Sequence, residues 1–250
     1  MSRRIKLVLS YDGTDFSGWQ VQPEQRTVQG ELEKALYKLH GERTSTIVAG
    51  RTDSGVHALG QVCHFDADSS IPGEKYREAI NSLLPGDVRI LSSLEVIRDF
   101  SARYSALMRS YKYLIQECTV PSPFSRKYAL SLRELPPLRY LNECARQVIG
   151  VHDFTAFTAA GDPSKTKIRE IFSSSFYMEN GYLVYKIEGT AFLWKMIRSI
   201  IGTILETAPL SFPGERMKDI LESGDRTMAG TTAPAKGLYF YKVRYDEQQG

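Results

Sequence analysis

Ala49-Gly50-Arg51-Thr52-Asp53-Ser54-Gly55-Val56-His57-Ala58 is the stretch from which the rest of the chain is read. It places a carboxylate, a guanidinium, two hydroxyls and an imidazole around two glycines, between two short strand-like runs, Thr46–Ala49 and Gln61–Phe65. Glycine tolerates positive φ and close backbone approach, and polar residues on a rigidly held loop are where function concentrates. The small hydroxylated neighbours of Asp53 can hold its carboxylate by local hydrogen bonds and keep it ionised. Taken alone, the ten residues fit a surface Asx-type turn with Arg51 paired to Asp53 as well as they fit a catalytic loop.

Outward from the loop, Arg4–Tyr11 alternates, with Ile5, Leu7, Leu9 and Tyr11 on one face, and predicts a strand. After a polar loop carrying Phe16-Ser17-Gly18-Trp19-Gln20, Thr27 caps a helix. Its apolar stripe is Val28, Leu32, Ala35, Leu36 and Leu39, and Gly41 ends it. On the other side, Glu74–Leu84 predicts a helix stopped by Pro85-Gly86-Asp87, and Val88–Ile97 a strand. The order is β-α-β-β-α-β.

The remainder repeats that order. Arg109–Glu117 alternates as a strand, a proline-bearing loop leads to a helix with Leu138, Leu141, Ala145, Val148 and Ile149 aligned, and strands at Lys167–Met178 and Leu183–Gly189 join through Asn180-Gly181, a hairpin signal. A helix from Phe192 to about Thr207, a shorter one over Glu215–Glu222 and a strand over Gly237–Tyr245 complete it. Two such runs predict an α+β fold of two ferredoxin-like, RNA-recognition-like halves. The expected halves are residues 1–105 and 106–250, with the boundary near Phe100–Leu107. They are expected to form an extended, mostly antiparallel sheet with a central cleft. Glu247–Gly250 reads as disordered.

A chain of 250 residues, 42% of them hydrophobic, buries a full core. A net charge of +3 is neutral on partners, because nucleic-acid binding depends on where charge sits. Three scattered cysteines without a CxxC argue against disulfides and structural zinc, and for a reducing cytosol. Ile5–Leu9 is too short for a signal peptide, and Lys195 and Arg198 interrupt the longest apolar run. A soluble, cytoplasmic protein is expected. With no metal-ligand cluster and no P-loop in the sequence, neither metal nor cofactor is expected.

Gly50–Ala58 resembles the signature loop of the TruA family of tRNA pseudouridine synthases. The resemblance extends in family order to Phe16–Gln22, the RxYxY strand around Tyr111, Val151–Phe157, the FLxxMVRxIVG helix as Phe192–Gly202, and the APAxGL segment as Ala233–Leu238. Tyr104 stands where Phe is usual, and Thr207-Ala208-Pro209-Leu210 lacks the common Val-Gly. The resemblance implies that Asp53 is the essential carboxylate and that Arg198 pairs with it and favours its ionised form. By periodicity Arg198 falls at the margin of the apolar stripe of its helix, where ordinary snorkelling to solvent is the plainer reading.

Tyr111 resembles the tyrosine that contacts the target uridine: its ring is suited to stack on a flipped base, and a role as relay for the C5 proton goes with it. Tyr113 reads as core. Leu238 would touch the uracil ring, besides serving as a strand-core leucine. Arg51 would grip the target phosphate or fill the gap the flipped base leaves. His57 is expected to be a structural donor, His64 packing or surface, and Asp12 and Asp15 turn formers. Arg3, Arg4, Arg103, Arg109, Lys112, Arg126, Lys127, Lys165, Lys167 and Arg169 read mostly as a solvated basic surface in loops and at strand ends.

The activity so implied is isomerisation of uridine to pseudouridine at positions 38, 39 and 40 of tRNA, in the anticodon stem-loop, by a homodimer. Two rivals remain at this point. A non-catalytic RNA-binding module needs exposed aromatics in the RNP pattern, which neither half displays clearly. An N-glycosidic hydrolase needs a second carboxylate near Asp53.

Overall fold

The computed structural model describes residues 2–246, and the tail Glu247–Gly250, expected to be disordered, lies outside them. The chain divides into two compact units, Met1–Arg109 with Tyr239–Gly250, and Ser110–Leu238.

The first unit opens with β1 (Arg3–Tyr11), which buries Ile5, Leu7, Leu9 and Tyr11, the alternating set. Helix α1 (Val28–His40) begins where the Thr27 hydroxyl accepts the Gly30 N–H and ends at Gly41 in the left-handed conformation. Its Val28, Leu32 and Leu36 are fully buried, each contributing about 1.5–3 kcal/mol. Strands β2 (Ile47–Val48) and β3 (His57–Ala67) flank the Asp53 loop. Strand β1 lies antiparallel between β3 and β4 (Val88–Val96), with Leu7 opposite Cys63 on one side and Ser93 on the other.

The helix expected over Glu74–Leu84 is shorter: a 3₁₀ turn, Gly73–Lys75, leads into α2 (Tyr76–Asn81). The Asn81 amide ends it by pairing with the Ile90 backbone in β4, accepting its N–H at 2.8 Å and donating to its carbonyl at 2.9 Å. The apolar stripe still points inward at Tyr76, Ile80 and Leu84.

The second unit is built on β5 (Met108–Glu117), β6 (Leu130–Leu132), α3 (Leu138–Arg146), β7 (Gly150–Asp153), β8 (Ile168–Glu179), β9 (Tyr182–Gly189), α4 (Met196–Thr207) and α5 (Pro213–Ser223). The sheet order is β5-β9-β8-β7, with β6 alongside β5. Helices α3, α4 and α5 pack on one another, and α3 packs against β8. Asn180 and Gly181, both at positive φ, make the tight β8–β9 turn. Strands β6 and β7, of three and four residues, lie where loops were expected; runs this short carry no readable period.

Helix α4 starts at Met196, four residues later than the apolar pattern suggests. Lys195 takes a left-handed conformation (φ 60), which no α-helix accommodates, and the Trp194 N–H is bonded to the Asp162 carboxylate instead of a helical carbonyl.

The last strand, β10 (Leu238–Arg244), enters the first unit at Tyr239 and pairs parallel with β3, Tyr239 opposite His57 and Phe240 opposite Ala58. The fold is of the α+β class, with mostly antiparallel sheets. No helix among the described residues is long and apolar enough to cross a membrane.

Candidate active site

The Asp53 loop is fastened from both sides by its own unit. At its base the Ala49 N–H bonds the Val62 carbonyl (2.8 Å), and the Gln61 amide donates to the Gly50 carbonyl (2.8 Å). At its centre the Tyr11 hydroxyl and the Thr52 hydroxyl share a buried 2.8 Å hydrogen bond. Burial pushes the Tyr11 hydroxyl up to about 12, so it remains a protonated partner at neutral pH.

The Phe16–Trp19 segment lies directly over the loop. The Trp19 N–H bonds the Thr52 carbonyl (3.1 Å), and the Ser54 hydroxyl and Gly55 N–H both donate to the Phe16 carbonyl (3.2 and 3.3 Å). Gly18 makes this approach possible: at φ 88, a Cβ there would stand 2.6 Å from the Thr52 carbonyl oxygen. Phe16 and Trp19 are buried beneath, so the aromatic pair packs the support of the loop. Asp53 is left half-buried with its own carbonyl bonded to the Val56 N–H (3.2 Å), and Arg51 is exposed.

The His57 Nδ1 accepts the Gly13 N–H at 3.0 Å, and in that tautomer the donor of the ring is Nε2. An Asp12 carboxylate oxygen lies 3.2 Å from the same nitrogen. Asp12 serves the turn, accepting the Thr14 N–H and hydroxyl. The His57 ring stacks on Tyr239 at 4.8 Å.

In the second unit the Tyr111 strand, the Arg198 helix and the Thr231–Leu238 segment converge. Arg198 donates from Nε to the Ala233 carbonyl (2.8 Å), and the Ala233 N–H returns a bond to the Arg198 carbonyl (3.0 Å). The Tyr113 hydroxyl donates to the Pro234 carbonyl (2.9 Å). Burial raises the pKa of the Tyr113 hydroxyl and keeps it protonated, opposed in part by the charge of Arg198. Tyr111 is buried and meets Phe192 edge to face, centroids 5.2 Å apart. Leu238 is buried at the start of β10. Helix α4 lies close on the segment because Gly202 has no side chain; a Cβ there would collide with the Thr231 carbonyl.

Residues 7–105 and 144–246 match the family described as tRNA pseudouridine synthase. The chain belongs to the tRNA pseudouridine synthase family. Relatives named tRNA pseudouridine synthase A include one from Bacillus pumilus (strain SAFR-032), 43% identical over 97% of this chain and 99% of its own length. Another, from Treponema denticola, is 44% identical over 98% of this chain and 94% of its own, and one from Syntrophomonas wolfei is 43% identical over 98% of each. A solved Cbf5-Nop10-Gar1 complex aligns over 94% of this chain and 57% of that one, at a TM-score of 0.34 and 11% identity, too distant to bear on the argument.

Within this pseudouridine synthase, Asp53 and Arg51 share one loop of the first unit, while Tyr111 and Arg198 belong to the second. Several residues of the expected basic surface are engaged within their own unit. Arg109 is buried and donates to the Ala49 carbonyl from Nε and from a terminal nitrogen (3.1 and 3.0 Å), and to Ala106 and Arg103 as well, so it clamps the strand entering the Asp53 loop. Lys112 pairs with Glu179 at 2.8 Å and Lys167 with Asp162 at 2.7 Å. Neighbouring charge alone does not distinguish such roles from surface ones. Among the described residues no group of three or more His, Cys, Asp or Glu is placed to hold a metal ion.

Proposed function

We propose that this member of the family converts uridine to pseudouridine at positions 38, 39 and 40 of tRNA, with Asp53 as the catalytic carboxylate. The observation that carries the reading is the fastening of the residues on either side of Asp53, Thr52 by Tyr11 and Trp19 and Ser54–Gly55 by Phe16, which leaves Asp53 half-buried on a loop that has little freedom. Preorganised charge of this kind needs no rearrangement during the reaction.

The target base leaves the stack at a cost of a few kcal/mol, offset by contacts to the RNA backbone. Asp53 then acts in one of two ways: it adds to the uracil or ribose as nucleophile, or it removes a ribose proton to give a glycal. The C1′–N1 bond breaks, the base turns, C1′ bonds to C5, the C5 proton leaves and N1 gains one. The sum is an isomerisation without redox change or hydrolysis, so the chemistry requires no cofactor. Tyr111 stacks on the base and relays the C5 proton, Leu238 gives apolar contact to the ring, and Arg198 is the basic residue that the same reading assigns to the substrate site. Arg51, exposed two residues before Asp53, grips the target phosphate or fills the vacated stack. A cytoplasmic homodimer is part of the same reading.

Primer-extension mapping of pseudouridine in tRNA incubated with Asp53→Asn tests it. No pseudouridine with tRNA binding kept is expected. Conversion by that variant would remove Asp53 from the chemistry, and free uracil from the wild-type reaction would indicate an N-glycosidic hydrolase.

A further inference from the structure

Asp162 takes no part in the chemistry above, yet its side chain is buried in a loop of the second unit and saturated with donors. One carboxylate oxygen accepts the Trp194 N–H at 2.7 Å. The other accepts Lys167 Nζ at 2.7 Å and the Ser164 N–H at 2.9 Å. The Ala159 N–H, three residues earlier, bonds the Trp194 carbonyl at 3.1 Å, so both backbone groups of Trp194 are held by one turn. Burial opposes the charge on Asp162, but these donors outweigh it and hold the carboxyl well below the usual carboxylate range.

The held residue is a strategic one. Lys195 follows it in a left-handed conformation, which is strained for a non-glycine residue and persists only where its surroundings impose it. Arg198 is the third residue of α4, in the turn whose N–H groups lack helical acceptors. The bonds that close that turn come from the preceding segment, Met196 N–H to the Leu193 carbonyl and Ser199 N–H to the Lys195 carbonyl. Phe192, at the other end of the same short turn, is the ring against which Tyr111 stands.

We propose that Asp162 is a positioning residue for the isomerisation, fixing the Phe192–Lys195 turn that sets both the Tyr111 ring and the first turn of the Arg198 helix. The proposal rests on the reading of Tyr111 and Arg198 as site residues.

The chain has two tryptophans, Trp19 buried at 1% exposure and Trp194 at 47%, so acrylamide quenching reads the Trp194 turn directly. In Asp162→Ala, Trp194 is expected to become more mobile and single-turnover pseudouridine formation to fall about tenfold or more, with tRNA affinity within about threefold of wild type. Lys167→Met removes the ammonium and leaves the Asp162–Trp194 bond, and should keep the rate within about threefold. Asp162→Asn, which keeps the volume and one acceptor, is read by the same rate-against-affinity split should the alanine variant not fold.

A wild-type rate in Asp162→Ala, or an equal loss in Lys167→Met, would overturn the proposal. Arg198→Ala run in parallel separates the two levels. If it turns over normally, the site reading falls and takes this proposal with it; if it is slow while Asp162→Ala is not, only the positioning role falls.

Discussion

His64 accepts the Ala102 N–H on Nδ1 at 3.1 Å and faces Phe100 edge-on, 5.9 Å between centroids. Burial, reinforced by the charge of Arg4, lowers its pKa to about 4, whereas in an unfolded chain the ring titrates near 6.5. Between those values the unfolded chain binds a proton that the folded protein refuses. The contribution to stability is therefore fully present above about pH 6.5 and is lost as pH falls toward about 4. Thermal unfolding midpoints are expected to drop across that window. In His64→Phe the level at neutral pH should be lower, because the Ala102 N–H loses its acceptor, but the slope between pH 6.5 and 4.5 should be flatter. An unchanged slope in the variant would assign the effect to other groups. Residue types with a fixed chemistry were readable in the sequence at this scale: Asp12 is the turn former expected and Tyr113 the core residue, whereas His64, expected as packing or surface, is settled as buried only by the fold. Which nitrogen of His57 accepts, and where the Arg109 fork points, depends on backbone atoms 44 and 60 residues away.

Gly202 sits in the middle of α4, where alanine would ordinarily gain about 1 kcal/mol of helix propensity. Here a Cβ would collide with the backbone carbonyl of Thr231, which no rotamer change relieves, so Gly202→Ala should lose about 1–3 kcal/mol net. Because the same segment carries Ala233, whose carbonyl takes the Arg198 Nε–H, the variant should also turn over more slowly than its stability loss accounts for. Denaturant unfolding together with single-turnover rates at a permissive temperature checks both; a Gly202→Ala protein as stable as wild type would show that the Thr231 segment yields. The contrast between α1 and α4 explains what is legible in an element. Helix α1 carries its own start and stop, Thr27 and Gly41, and both ends agree with the sequence reading. Just before the start of α4 the Trp194 N–H is bonded to Asp162, 32 residues upstream of it, while the apolar stripe runs on through Leu193. Likewise α2 ends on a side chain that pairs with β4, although its stripe continues to Leu84.

The order of elements along the whole chain was legible because alternation and helical stripes are local, but an order does not state which strand is whose neighbour. The ending of the chain is the case in point: from Tyr239 it clusters with residues of the first unit. There Tyr239 and Phe240 pair with His57 and Ala58, the Leu107 N–H bonds the Arg244 carbonyl, and the Tyr245 hydroxyl donates to the Ala102 carbonyl. Gly60 has no side chain where the Tyr241 carbonyl passes. Phe240 is fully buried, and loss of a side chain of that size from a core costs about 3–5 kcal/mol, a large part of the roughly 5–15 kcal/mol that holds a domain together. A chain stopped after Gly237 should therefore lose the support of the strand that leads out of the Asp53 loop. Amide exchange over His57–Phe65 is expected to accelerate strongly and pseudouridine formation to cease, while the β8–β9 hairpin, whose partners all lie before residue 238, keeps its protection. Exchange at the full-length rate over His57–Phe65 would show that β3 holds the Asp53 loop without the returning strand, and would confine the role of β10 to the residues it touches.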